Sequence, residues 1–138
     1  MIPTTQDHPS MDRPPGQSVP PSLPGLDTAC AISRLGNNER LYFSLLQDFR
    51  KQFNDYPQTI RAILDRDDQD RKRSARDMVH AIRGSAGNLG ANALSAAAHR
   101  LEIVLSDPSE TSWQSSWDHF EQSLTMILAT ITQLGSWK

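Results

Sequence analysis

The sequence predicts an all-α protein, an antiparallel four-helix bundle with two additional short helices, and three observations carry that prediction. Apolar residues recur at intervals of three and four from Leu26 onward, the period of a helix that buries one face. No segment alternates apolar and polar residues with period two, so no half-buried strand is indicated. The periodic stretches are separated by short turns rich in glycine, proline, asparagine or aspartate, which make sequential helices antiparallel neighbours.

The elements follow in order. Met1 to Pro24 carries seven prolines (Pro3, Pro9, Pro14, Pro15, Pro20, Pro21, Pro24) and few apolar residues, so residues 1–24 are expected to be a disordered tail or linker, with the bundle over residues 25–138. Asp27 is the expected N-cap of a short helix closed by Gly36. Asn37 or Asn38 caps the next, where Tyr42, Leu45, Phe49, Phe53 and Tyr56 recur on one face. Pro57 stops that helix and takes the first position of a short one carrying Ile60, Ile63 and Leu64. The acidic run Asp65 to Asp70 is expected to connect to, and cap, a long helix reaching Leu89, with Gly90 as its stop.

After Gly90, Leu94, Ala97, Leu101 and Val104 or Leu105 share a face, and Ala93, Ala96, Ala97 and Ala98 permit a close neighbour. Asp107-Pro108 is the turn. The last helix has Trp113, Trp117, Phe120, Leu124, Ile127, Ile131 and Leu134 in register, with a start signal at either Thr111 or Asp107.

Composition narrows the function classes. With 14 basic and 16 acidic residues the chain lacks the positive excess of a nucleic-acid binder. No apolar run approaches the ~20 residues of a membrane span, and the N-terminus has no signal-peptide core. The single Cys30 excludes an internal disulfide and fits a reducing cytoplasm. Beside Ile32, it is expected to be a buried structural thiol.

The stretch from Met78 to Leu105 is where chemistry is indicated. At about 100° per residue, Ala75, Met78, Val79, Ile82, Ala86 and Leu89 form the buried stripe opposite His80. Arg73, Arg76, Asp77, Arg83, Gly84 and Gly87 fall within about 60° of His80 at that same step. The histidine therefore faces water, among arginines and glycines. A glycine inside a helix costs roughly 1 kcal/mol relative to alanine. Gly84 and Gly87 nevertheless sit where side chains would flank anything approaching His80, and Gly90 already supplies the helix stop. They are expected to clear room for a partner.

These residues, His80-Ala-Ile-Arg83-Gly84-Ser-Ala-Gly87-Asn-Leu-Gly90 followed by Ala-Ala-Ala-His-Arg-Leu-Glu102, resemble the signature of the histidine-containing phosphotransfer (HPt) domain of bacterial phosphorelays. Leu23 to Asp27 is also similar to the usual entry of such domains. Where this chain has Arg83, the family most often has lysine. The resemblance implies that His80 accepts a phosphoryl group through Nε2 from a receiver-domain aspartate and passes it to another receiver. Arg83 would then neutralise phosphoryl oxygens, while Arg76, Gly84 and Gly87 serve docking. The implied partners are response-regulator receiver domains and an upstream hybrid histidine kinase. The chain itself would need no cofactor, since magnesium belongs to the receiver. It would carry phosphate without autonomous kinase activity, either as a free carrier or as the tail of a larger sensor kinase.

Competing readings are weaker. His99 lies off the main apolar stripe and is expected to be solvated, and His8 and His119 stand at no motif spacing. Asp65 to Asp70 lacks the mid-loop glycine and twelfth-position glutamate of a calcium loop. The glycines of 84–90 follow a helix rather than a strand and are not followed by Lys-Ser or Lys-Thr, so they do not form a nucleotide loop. An adaptor that binds receivers without transfer would keep the same surface, but has no need of the histidine.

Overall fold

The computed structural model describes residues 23–134. Among these described residues six helices follow in order: α1 (Thr28–Arg34), α2 (Glu39–Phe53), α3 (Tyr56–Leu64), α4 (Arg71–Asn88), α5 (Asn92–Ser106) and α6 (Gln114–Leu134). No strand occurs among the described residues, only an isolated bridge between Leu23 and Leu26. The four long helices α2, α4, α5 and α6 form the bundle, and α1 and α3 pack on it, as the apolar periodicity predicts. None of these helices is long and apolar enough to cross a membrane.

The pairing of α4 with α5 is the most extensive in the molecule, followed by α5 with α6. Small residues allow it: Ala75 and Ala86 of α4 and Ala97 and Ala98 of α5 are all buried. The largest fully buried side chains, among them Trp117, Tyr42, Phe53 and Phe120, belong to the hydrophobic core of the bundle. Phe53 sits edge-on between Phe49 and Tyr56, with ring centroids 4.8 Å away on each side.

Local signals set most helix ends. Asp27 accepts from the Cys30 amide (3.2 Å) and Asn38 from the Leu41 amide (3.0 Å), two N-caps of the expected kind. Pro57 lies in the first turn of α3. Gly90 ends the α4–α5 corner with φ +80°, and the Asp27 amide donates to its carbonyl at 2.9 Å. A Cβ at Gly90 would come within 2.5 Å of the Asp27 carbonyl oxygen, so only glycine lets α1 approach this corner.

Two further contacts hold the end of α4. Tyr42 Oη donates to the Leu89 carbonyl (2.7 Å), and Arg34 Nη2 to the Gly87 carbonyl (3.3 Å). Burial first, and the nearby Asp27 charge second, push the Tyr42 phenol above its ordinary range, so the hydroxyl remains a donor. Helix α4 is thereby fixed at the end that lies about two turns beyond His80.

Four expectations need correction or relocation. Cys30 is exposed, because it lies two residues from Ile32, about 200° round a helix, while Thr28, Ala31 and Ile32 form the buried face. Asp70 precedes α4 without a side-chain cap bond and instead pairs with Arg73 at 3.2 Å. Helix α6 begins at Gln114, after both expected start signals. Asp107 is occupied by Ser109, and Glu110 accepts from the Ser112 amide at 2.9 Å, so these residues build a turn before the helix. Residues 1–22 of the expected tail lie outside the described residues, as do 135–138. Leu23 and Pro24, by contrast, belong to a turn on the bundle, and the Pro24 carbonyl accepts from Thr130 Oγ1 at 3.2 Å.

Candidate functional site

His80 lies on the solvent side of α4, with 70% of its side chain exposed. Val79 and Ile82, its neighbours on the core stripe, are fully buried, so packing of the helix leaves the ring no route inward. Across the helix pair, Glu102 of α5 reaches the ring: its Oε1 lies 2.8 Å from His80 Nδ1. The other carboxylate oxygen accepts from Arg83 Nη1 at 3.0 Å. Only 12% of the Glu102 side chain is exposed, against 39% for Arg83. A single, largely sheltered carboxylate therefore positions both the ring and the guanidinium.

The chemistry follows from donor and acceptor types. A carboxylate is an acceptor only, so the nitrogen facing Glu102 carries the proton. In the neutral ring the lone pair is then on Nε2, which points away from Glu102 on an exposed side chain. That is a nucleophile with a set tautomer, an open approach and a guanidinium nearby for the charge of an anionic reactant.

The other expected site residues are distributed around this centre on α4. Gly84, one turn beyond His80, is exposed, and a Cβ placed there would meet nothing within 4 Å. The chain's own packing thus does not call for glycine at 84. Gly87 differs: a Cβ there would lie 3.7 Å from Ser95 Oγ, ordinary contact within the α4–α5 seam, and its carbonyl is held by Arg34. Arg76 lies one turn before His80, with 36% of its side chain exposed, and its guanidinium is 3.6 Å from Asp77. His99 is exposed on α5, three residues before Glu102.

Glu102 is the functional residue that sequence reasoning passed over, although it closes the quoted signature. The signal was available. His80 stands ten residues before the Gly90 corner and Glu102 twelve after it. At about 1.5 Å rise per residue, antiparallel helices bring those two positions to nearly the same height. Periodicity within one helix does not report such a pair, because it concerns two helices at once.

No curated protein and no solved structure matches the chain significantly. The Hpt domain family model matches residues 44–134, well over half of the chain and all of α4, α5 and α6. With the all-helical bundle, and with His80 inside the matched span, the chain belongs to the Hpt domain family, the phosphotransfer modules of two-component signalling that work with histidine kinases and receiver domains.

Proposed function

We propose that this protein is a phosphorelay intermediate in which His80 receives a phosphoryl group from the aspartyl phosphate of one receiver domain and delivers it to the aspartate of another. The observation that carries this reading is the His80–Glu102 pair, which protonates Nδ1 and turns Nε2 outward. In the forward step the Nε2 lone pair attacks phosphorus. An Nε2–P bond forms as the bond from phosphorus to the aspartyl oxygen breaks, and the receiver regains its carboxylate. Nδ1 keeps its proton, and the positive charge gained by the ring faces Glu102. Discharge to the second receiver reverses each of these changes.

The division of labour is unequal. The receiver brings the magnesium and most of the charge stabilisation, while this chain supplies a placed nucleophile and the Arg83 guanidinium. Gly84 leaves the space beside His80 open to the receiver's loops, and Arg76 and Gly87 lie at the edges of the same docking face. An upstream hybrid histidine kinase is the proposed source of phosphate and the cytoplasm the proposed compartment. The test is incubation with radiolabelled phospho-receiver domains. Label moving to the wild-type chain and not to His80→Gln supports the reading; label on neither, or on both, refutes it.

A further inference from the structure

The outer face of α5 has an unusual composition. Asn92, Ala96, His99 and Ile103 follow one another at intervals of four, three and four, so they form one stripe along the helix, and all are exposed. None of them is a carboxylate, an ammonium or a guanidinium. Helix α4, by contrast, turns Arg73 and Asp77 to solvent, and α6 turns Asp118. Ile103 dominates the stripe. At 57% exposure it is more open to water than Leu41 and Met126, the other large apolar side chains exposed among the described residues. One exposed apolar side chain is ordinary on a soluble protein, but this one is placed beside the reaction centre. It follows Glu102, whose carboxylate lies 2.8 Å from the His80 ring. About 100° separates the two residues around α5, so Glu102 turns toward α4 and Ile103 turns outward.

We propose that Ile103 is the apolar anchor on which a receiver domain seats, and that it selects receivers carrying an uncharged, apolar patch beside the acidic pocket. This inference rests on the proposed role of His80 as phosphoryl acceptor and adds a specificity-determining residue to it. Transfer requires the receiver to cover His80, and a specific interface covers about 800 Å² of each partner, a patch roughly 30 Å across. Packed helices lie only about 8–10 Å apart, so whatever covers His80 on α4 also covers the neighbouring stripe of α5. Interface centres are depleted of charge and draw their energy from a few well-buried side chains. The stripe offers both features. The two helices then divide the partner's surface between them: α4, with Arg73 and Arg76, faces its acidic pocket, and α5 faces its apolar patch.

Two phosphoryl donors separate docking from chemistry. Phosphoramidate is small and needs no docking face: its P–N bond breaks as the Nε2–P bond forms, and ammonia leaves. The other donor is a radiolabelled phospho-receiver domain, chosen from a panel as the one that labels the wild-type chain fastest. Single-turnover rates against receiver concentration give a half-saturating concentration and a maximal rate. They are measured for the full-length wild type, Ile103→Ser, Ile103→Asp, Ile103→Leu and Met126→Ser, with thermal melts to verify folding. Met126→Ser, on α6, controls for the loss of an exposed apolar side chain as such.

Ile103→Ser is expected to raise the half-saturating receiver concentration about tenfold, the loss of one moderate anchor. Ile103→Asp should raise it about a hundredfold, because the complex would then bury an unpaired charge. Both variants should keep the wild-type maximal rate and load from phosphoramidate at the wild-type rate, while Ile103→Leu and Met126→Ser match the wild type throughout. An unchanged half-saturating concentration in Ile103→Ser and Ile103→Asp would overturn the anchor and leave phosphoryl carriage intact. So would an equal loss with phosphoramidate, or an equal loss in Met126→Ser. A wild-type chain that no receiver labels would remove the reading beneath the proposal, and the anchor with it.

Discussion

The imidazole of His80 and the carboxylate of Glu102, on different helices and separated by 22 positions in sequence, meet at 2.8 Å across the α4–α5 seam. The contact exists because two helices pack closely over alanines and turn at Gly90. The first predictions therefore concern the glycines of this region, which serve opposite ends.

Gly84→Ala should stabilise the protein by up to about 1 kcal/mol, the helix-propensity difference, since a Cβ there meets only open space. Gly84→Gln should leave the fold intact while slowing transfer from a phospho-receiver by about a hundredfold, the scale of a misplaced reactant. Melting temperature and transfer rate measured on the same samples check both statements. A Gly84→Gln protein that transfers normally would show that the open face is not a docking face.

Gly90→Ala should behave oppositely, lowering stability by about 2–3 kcal/mol, because alanine is strained at φ +80° and its methyl would press on the Asp27 carbonyl. Urea denaturation gives the number. Stability unchanged by this substitution would mean that α1 does not seat on the α4–α5 corner as described.

Tyr42→Phe should cost about 1–3 kcal/mol near neutral pH, since it leaves the buried Leu89 carbonyl without its donor. The raised phenol pKa adds a pH signature. An unfolded tyrosine ionises near its ordinary value of about 10, and the folded one resists, so above that point the native state binds more protons than the unfolded state. Tyr42's contribution is therefore fully present below pH ~10 and is lost as pH rises beyond it. Denaturation curves from pH 8 to 11 should show wild type losing stability more steeply than Tyr42→Phe. Parallel curves would mean that Tyr42 is not buried as a proton donor.

How much of this was legible in the sequence depends on the range of the interaction involved. The fold class, the buried stripe of α4 and the caps at Asp27 and Asn38 are local matters, set by residues three or four apart, and they are written in the sequence plainly. Cys30 was misplaced because sharing a short helix with Ile32 is not sharing a face. The start of α6 was misplaced because Asp107 and Glu110 can satisfy turn amides as readily as helix amides, and the Lys72 ammonium, 2.9 and 2.7 Å from the Asp107 and Glu110 carbonyls, ties that turn to α4. Glu102 needed the pairing of two helices before its role could be seen. His80 could be singled out alone; the carboxylate that orients it could not.

The measurement that decides the matter is the site of label after incubation with a radiolabelled phospho-receiver. His80→Gln should fold as the wild type does, with stability within about 0.5 kcal/mol because the side chain is largely exposed. Peptide mapping should place the phosphoryl group of the wild-type chain on His80, in a bond labile to acid and stable to base, as a phosphoramidate is. Label retained by His80→Gln, or lost instead from His99→Gln, would contradict His80 as the acceptor.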